Sequence, residues 1–341
     1  MEFLHTIQKS VPLASHTTLG VGGPAKLLLE VKSVDELQGA ITYAKSQGES
    51  WVVLGGGSNV LVPDSGYDGL VIKMSIDGMT EINKDEQSVV VQVGAGVYFD
   101  TFVRQTVEKG WWGMENLSFI PGTVGATPVQ NVGAYGAEIS QTVVSIDAYD
   151  TSIDEFVTLT NAQCTFGYRT SVFKAKPQRY IITSVTFSLS LLPNPKCTYA
   201  DLVRYFADNP APSLSSIRQA VIEIRSQKFP DWEVVGTAGS FFKNPIVPKD
   251  EAETLLKKYP ELPNYEESGG MVKLSLGYIL DKVCGLKGYK EGKVGLYDKQ
   301  ALVLVVEKNS SASEVIEFSE MIQKKVFLET GITIEREVTL L

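Results

Sequence analysis

The chain has 341 residues, 43% of them apolar, and a formal net charge of -9. That length accommodates two or three domains, and that apolar share builds cores and excludes a disordered chain. The charge disfavours nucleic acid as the main partner, because phosphate contacts need clustered Lys and Arg, and no polybasic stretch suits a membrane surface.

The N-terminus, MEFLHTIQKS, has neither a basic region nor a following apolar run, so no signal peptide is expected. No apolar segment reaches membrane-spanning length. Cys164, Cys197 and Cys284 are far apart, odd in number and form no CxxC pair, which disfavours a disulfide framework and a zinc site. His5 and His16 are the only histidines, too few for a His-rich metal centre and poorly placed for a serine–histidine nucleophile. These features predict a soluble protein of a reducing compartment with no resident metal.

In chain order, KLLLEV (26–31) reads as a strand, and Ser33 with Glu36 makes a capping box for a helix running towards Gly48. WVVL (51–54) is a buried strand, followed by the glycine loop GGGSN (55–59). VLVPDSGYDGLVIKM reads as strand and turn, since Pro63 and the glycines interrupt any helix. Residues 80–190 are strand-rich, with SVVVQV (88–93), TVVSIDAYD (142–150) and YIITSVTFSL (180–189), and one helix near 97–110 interrupts them. The segment 191–216 is rich in Pro, Ser and Asn and reads as a connector with a short helix candidate. A further helix ends at Pro230.

The last third predicts helices near 250–258 and 273–284 and a strand at ALVLVV (301–306). Ser311 and Glu314 cap a helix whose Val315, Phe318, Ile322 and Val326 share one face and which stops at Gly331. Alternation makes ITIEREVTLL a final strand, with Ile332, Ile334, Val338 and Leu340 buried and Glu335 and Glu337 on the polar side. The class is α+β, with boundaries placed at 1–77, 78–226 and 227–341.

Five stretches carry chemistry. In GGGSN, successive glycines let backbone N–H groups converge on an anion, and Ser58 and Asn59 add donors. The helix that a Rossmann loop requires, and the Lys-Ser/Thr of a Walker loop, are both missing. On the loop alone, a tight connector is the plainer reading. The stretch ENLSFIPGTVGATPVQNVGAYGAE (115–138) holds Gly122, Gly125, Gly133 and Gly136 with few charges. Such backbone suits a flat apolar ligand, with Gln130, Asn131 and Tyr135 as polar contacts, and long loops of this kind are uncommon unless functional. Two glycine stretches in one domain suggest a dinucleotide such as FAD. In FGYRTSVFK (166–174), Arg169 beside Tyr168 can bind a carboxylate or phosphate in bidentate fashion, although a surface arginine is the plainer reading. In GTAGSFFKNP (236–245), Ser240 is either a hydroxyl tethered to backbone or a sheltered proton donor. Glu335 and Glu337 are either solvated surface or a functional carboxylate, and the residues alone do not choose.

Taken together, PLASHTTLGVGGPA, GGGSNVLV, ENLSFIPGTVGATPVQNVGAYG, FGYRTSVFK, GTAGSFFKNP, KLSLGYILDK and EREVTLL resemble, in order and over nearly the whole chain, the UDP-N-acetylenolpyruvoylglucosamine reductase family in its longer branch with a tyrosine lid loop. The resemblance implies a two-part FAD-binding unit of the vanillyl-alcohol-oxidase (PCMH) type, followed by a C-terminal α+β substrate-binding domain. It implies NADPH-dependent, FAD-mediated reduction of UDP-N-acetylglucosamine enolpyruvate to UDP-N-acetylmuramate in the bacterial cytoplasm, with FAD held noncovalently. Matched residue by residue, the catalytic groups are Arg169, Ser240 and Glu337. Substrate contacts fall on Tyr168, Tyr199, Arg225, Lys228 and Asn244, with Tyr199 on the loop that closes over the substrate. FAD contacts fall on Gly55, Gly57, Ser58, Asn59, Gly122, Thr127, Gln130 and Gly133. Two positions depart from the family pattern: His16 stands where asparagine is frequent, and VGLYDKQAL (294–302) lacks a histidine often found there. A flavin oxidase with the same cofactor fold and a nucleotide-sugar binder without catalysis are the alternatives. Peroxide production would mark the first, and a missing flavin spectrum the second.

Overall fold

The computed structural model describes residues 2–209 and 211–341. The chain divides into two compact units. One gathers the chain up to Val11, Ala25–Gly57 and Asp68–Arg225; the other gathers Pro12–Pro24, Ser58–Tyr67 and Ser226–Leu341.

In the first unit, a four-stranded sheet places Gln8–Pro12, Pro24–Val31, Tyr67–Met74 and Trp51–Leu54 side by side. Trp51–Leu54 runs parallel to Tyr67–Met74. The helix Val34–Gln47 buries Leu37, Ala40, Ile41 and Ala44, the spacing that gives one apolar helical face. The Ser33 hydroxyl accepts the Glu36 N–H at 3.2 Å. The return half of the expected box is displaced by one residue, because the Glu36 carboxylate accepts from the Lys32 N–H at 2.6 Å. Gly48, at φ 65°, adopts the left-handed conformation that ends the helix.

A five-stranded antiparallel sheet follows, in the order Glu155–Thr160, Val143–Asp150, Tyr180–Ser190, Ser88–Gly94 and Met79–Lys84. Alternation sorts its faces. Val91, Val93, Ile146, Val185 and Phe187 are fully buried, and Phe187 meets Phe102 of the helix Phe99–Glu108 with ring centroids 4.9 Å apart. The opposite face is polar: Asp147 accepts from Gln92 at 2.7 Å, Thr158 at 2.6 Å and Ser184 at 2.8 Å, so one carboxylate ties four strands. A separate apolar cluster contains Trp112, Tyr135, Leu202, Phe206, Ile217 and Val221. It receives the short helix Ala200–Tyr205 and the helix Leu214–Lys228, so the 191–216 segment carries a packed element.

In the second unit, the helix Ala312–Thr330 buries Val315, Phe318, Ile322 and Val326 on one stripe and begins with a complete capping box. Asp64 adds to it, accepting the Ala312 N–H at 2.6 Å and the Ser313 N–H at 2.9 Å and so satisfying N–H groups that a helix start leaves open. Two three-stranded sheets complete the unit, Ile246–Pro248, Met271–Leu274 and Asn264–Glu267, then Lys290–Glu291, Val294–Leu296 and Leu304–Val306.

Three expectations need correction in this unit. Residues 273–284 are not one helix. Met271–Leu274 is a strand held between two neighbours, and Ser275 then caps a short turn at Leu276–Tyr278 that continues as Ile279–Val283. The 301–306 strand shortens to Leu304–Val306, because the Val303 N–H turns back to the Gln300 carbonyl at 3.0 Å. In the terminal segment, only Thr339–Leu340 joins a ladder, parallel to Val60–Leu61. Alternation breaks before it: Glu337 and Val338 are both buried, whereas Leu340 is 53% exposed. Glu337 therefore leaves the polar side expected of it; Glu335 remains exposed.

Candidate functional site

The two glycine-rich stretches meet within the first unit. A Cβ on Gly56 would stand 2.6 Å from the Gly122 Cα, and one on Gly55 would stand 2.6 Å from the Thr123 hydroxyl. Carbon atoms settle near 3.5–4.0 Å, so a side chain at Gly56 would force the two backbones apart, and one at Gly55 would press on the Thr123 side chain. The 122–126 segment is in turn pinned: the Gly122 carbonyl accepts the Phe99 N–H at 3.0 Å, and the Val124 N–H donates to Val97 at 2.9 Å. Thr123 Oγ1 is buried without a hydrogen-bond partner among the described residues. Buried polar groups are rarely left so, and this hydroxyl is free to meet a polar ligand atom. A side-chain-free backbone cradle beside an orphan hydroxyl fits a dinucleotide.

Sequence reading missed Lys73 here. On Tyr67–Met74, its ammonium hydrogen-bonds the Gly55 carbonyl, and burial pulls its pKa below the usual lysine value against the raising influence of Glu30. The available signal was one lysine in an otherwise apolar strand, LVIKM, directly after the loop. A half-buried cation under a glycine loop suits a diphosphate.

The same unit positions Arg169. Its φ is 53°, a conformation non-glycine residues adopt rarely and mostly where the surroundings enforce it. Its Nη2 donates to the Gly133 carbonyl at 3.2 Å, and its guanidinium carbon lies 5.6 Å from the Tyr168 ring centroid. A Cβ at Gly133 would stand 2.9 Å from Glu138 Cγ but 3.6 Å from Arg169 Nη1, so the crowding there is with Glu138 and not with the arginine. Asn131, at φ 46°, donates to Glu138 at 2.8 Å and to the Gly167 carbonyl at 3.2 Å, which joins the 131–138 turn to the Arg169 loop. Gln130 accepts from Lys174 at 3.4 Å, and the Thr127 hydroxyl donates to the Val124 carbonyl at 2.8 Å.

Arg225 donates through Nε to the Phe119 carbonyl at 3.0 Å and also hydrogen-bonds the Tyr135 side chain. Burial pushes the Tyr135 phenol up to about 12, so it is neutral across the physiological range. Tyr199 sits edge-on to Tyr135, with centroids 5.3 Å apart.

The second unit brings Ser240 and Glu337 onto paired segments. The Glu337 N–H donates to the Phe241 carbonyl at 2.8 Å, the Lys243 N–H donates to Glu335 at 3.0 Å, and Phe242 bridges to Arg336. Ser240 itself bridges to Val303. Phe241 and Phe242 are almost fully buried, while Ser240 stays half-buried. The ion pair Lys243–Glu335, at 2.7 Å, closes the outer edge of the pairing. Glu337 thus separates from Glu335 in position: Glu337 is 9% exposed and Glu335 faces outward in its ion pair. Asn59 also belongs to this unit, where its side chain donates to the Glu337 carbonyl at 3.2 Å and its own carbonyl accepts the Thr339 N–H at 3.0 Å. Ser58 lies beside it in sequence and in the same unit. Asn244 Oδ1 accepts the Leu276 N–H at 3.0 Å, and Lys228 ends the helix Leu214–Lys228.

Among the described residues, no helix is long and apolar enough to cross a membrane. A family model described as FAD binding domain matches residues 25–152, and one described as UDP-N-acetylenolpyruvoylglucosamine reductase, C-terminal domain, matches residues 230–341. UDP-N-acetylenolpyruvoylglucosamine reductase of Polynucleobacter asymbioticus is 41% identical over 98% of this chain and 96% of the relative. That of Ralstonia nicotianae is 43% identical over 96% of both. The crystal structure of the Thermus caldophilus reductase superposes with a TM-score of 0.69 at 25% identity, over 98% of both chains. The α+β class with an FAD-binding domain and a C-terminal domain of this reductase holds, and the chain belongs to the UDP-N-acetylenolpyruvoylglucosamine reductase family.

Proposed function

We propose that the chain reduces UDP-N-acetylglucosamine enolpyruvate to UDP-N-acetylmuramate with NADPH, as an FAD-dependent oxidoreductase of peptidoglycan precursor synthesis. The observation that carries the reading is the convergence of Gly55 and Gly56 on Gly122 and Thr123, around an orphan buried hydroxyl. Bound FAD would supply, from NADPH, the hydride that the terminal carbon of the enolpyruvyl group takes up. Gly55, Gly57, Ser58, Asn59, Gly122, Thr127, Gln130 and Gly133 are the residues we assign to holding it, with Lys73 added.

The protein's own groups manage charge and the proton. Negative charge develops towards the substrate carboxylate as the double bond is reduced. A guanidinium already fixed in orientation by Gly133 needs no reorganisation to meet that charge, which makes Arg169 the electrostatic stabiliser. Glu337 orients or polarises the same carboxyl group. The Ser240 hydroxyl then donates its proton to the adjacent carbon. Serine is a feeble acid; it serves because the carbanion is strongly basic and because bound substrate keeps water from a hydroxyl that is already half-buried. Tyr168 and Tyr199 contact the substrate, and Lys228, Asn244 and Arg225 serve its diphosphate and nucleotide. Asn244 does so through Nδ2, since Oδ1 is spent on Leu276. We assign the reaction to the bacterial cytoplasm, where a nucleotide-sugar substrate and NADPH meet, with small molecules as its partners and no membrane insertion.

The test is spectroscopic. The purified protein is yellow; under anaerobic conditions NADPH bleaches it, and the enolpyruvyl substrate restores the colour. Failure of the substrate to restore colour overturns the reading, and oxygen-dependent peroxide release at turnover rates points to an oxidase instead.

A further inference from the structure

Buried beside the Tyr135–Tyr199 pair is a residue to which neither sequence nor family reading gave a role. Asn116 is 1% exposed. Its Nδ2 donates to the Tyr135 carbonyl at 2.8 Å and to the Lys196 carbonyl at 2.7 Å. A primary amide carries two N–H donors on that nitrogen, and both are used. The amide orientation is fixed by chemistry: flipped, it would set an oxygen against two carbonyl oxygens. One side chain therefore ties the glycine-rich 131–138 turn to the root of the segment that carries Tyr199.

Other contacts converge on the same place. Lys196 Nζ donates to Gln141 Oε1 at 2.6 Å. Tyr135 holds a φ of 50°, a costly conformation for an aromatic residue, and its ring, its carbonyl and its hydroxyl are held by Tyr199, Asn116 and Arg225 respectively. Past Tyr199, the short helix Ala200–Tyr205 buries Leu202 but leaves Val203 and Tyr205 about half exposed. Six residues form a marginal helix, so its position depends on its root and on the packing of Leu202 rather than on its own stability.

We infer that Asn116 is a positioning residue for substrate capture: by bridging the Tyr135 and Lys196 carbonyls it holds Tyr199 in place, without touching the reacting groups. The inference rests on the reading that Tyr199 covers the substrate, and the experiment separates the two. Flavin-loaded wild type, Asn116→Ala, Asn116→Ser and Tyr199→Ala are compared for the first tryptic cut after Lys196 or Arg204, mapped by mass spectrometry, and for KM and kcat. Losing the tie exposes the segment more often. Asn116→Ala is cut about tenfold faster, the change expected when a net hydrogen-bond contribution of about 1.4 kcal/mol is lost from a local opening equilibrium. KM for the enolpyruvyl substrate rises by about the same factor as in Tyr199→Ala, while kcat and flavin reduction by saturating NADPH change less than about threefold.

A residue that merely supports the fold would lower flavin content and kcat together. Asn116→Ser keeps one hydroxyl donor and falls between wild type and Asn116→Ala; it provides the measurement if the alanine variant loses flavin. Tryptic cutting within about twofold of wild type in both variants overturns the inference, as does faster cutting with KM unchanged while Tyr199→Ala raises it. If Tyr199→Ala itself leaves KM unchanged, the covering role of Tyr199 falls, and the tie is then judged on the cutting rate alone.

Discussion

Gly56→Ala tests the cradle directly. The added Cβ would sit 2.6 Å from the Gly122 Cα and 3.1 Å from its carbonyl carbon. Both are backbone atoms, and Gly122 is pinned through its carbonyl to Phe99, so no side chain can swing away. Relief to ordinary contact requires one backbone to retreat by about 1 Å. Overpacking of this size costs about 1–3 kcal/mol. If the strain is relieved by opening the cradle, FAD affinity falls by about 5- to 150-fold, since every 1.4 kcal/mol is tenfold. The assay is flavin stoichiometry by visible absorbance, followed by titration of the stripped protein with FAD, with thermal unfolding alongside. Gly277→Ala is the control, because its nearest neighbour is the movable end of the Gln300 side chain at 3.3 Å. Gly56→Ala protein with wild-type flavin affinity and an unchanged Tm would refute the close-approach argument.

Ser240→Ala leaves flavin reduction by NADPH nearly intact and slows substrate reduction by about 3–4 kcal/mol of barrier, measured by stopped-flow absorbance of each half-reaction; equal slowing of both contradicts a proton-donor role. Arg169→Lys loses the fork geometry and lowers kcat/KM for the enolpyruvyl substrate by tenfold or more, about 1.4 kcal/mol, and wild-type kinetics would remove Arg169 from the mechanism. Lys73→Met keeps the volume but removes the cation beneath the Gly55 carbonyl, so FAD binding weakens and loses part of its salt dependence; unaltered salt dependence argues against a diphosphate there. Asp150 predicts a pH effect. Burial alone would raise its pKa, but hydrogen bonds from Arg179 and Ser152 prevail and hold it at about 2. The folded pKa lies below the unfolded value of about 3.9, so this stabilisation is complete above that value and is lost as pH falls towards 2. Asp150→Asn therefore flattens Tm against pH over that window, and an unaltered acid limb would count against the assignment.

Residues whose local pattern agrees with their tertiary surroundings were legible in sequence. The stripe Val315, Phe318, Ile322 and Val326 and the Ser311–Glu314 box predicted the helix Ala312–Thr330, and the alternating runs at 88–93 and 180–189 predicted central strands of the five-stranded sheet. Local reading failed where distant segments set the conformation. KLSLGYILDK has helical spacing, yet Met271–Leu274 lies between two strands whose backbone groups demand partners. Alternation, which assumes a regular strand, put Glu337 on the polar side beside Glu335. Pairing with Phe241 and Asn59 turns it inward.

Sequence by itself determined the α+β class, the two glycine-rich stretches and, through the ordered set of motifs, the family and its flavin chemistry, because these depend on residue types and on short-range spacing. Only the tertiary structure decided that Gly56 faces Gly122, that Lys73 lies under the glycine loop, that Glu337 is buried and that Asn116 bridges two carbonyls 61 residues apart in sequence, Tyr135 and Lys196. Close backbone approach and buried hydrogen bonds are properties of pairs far apart along the chain, and the pattern around either member alone does not encode them.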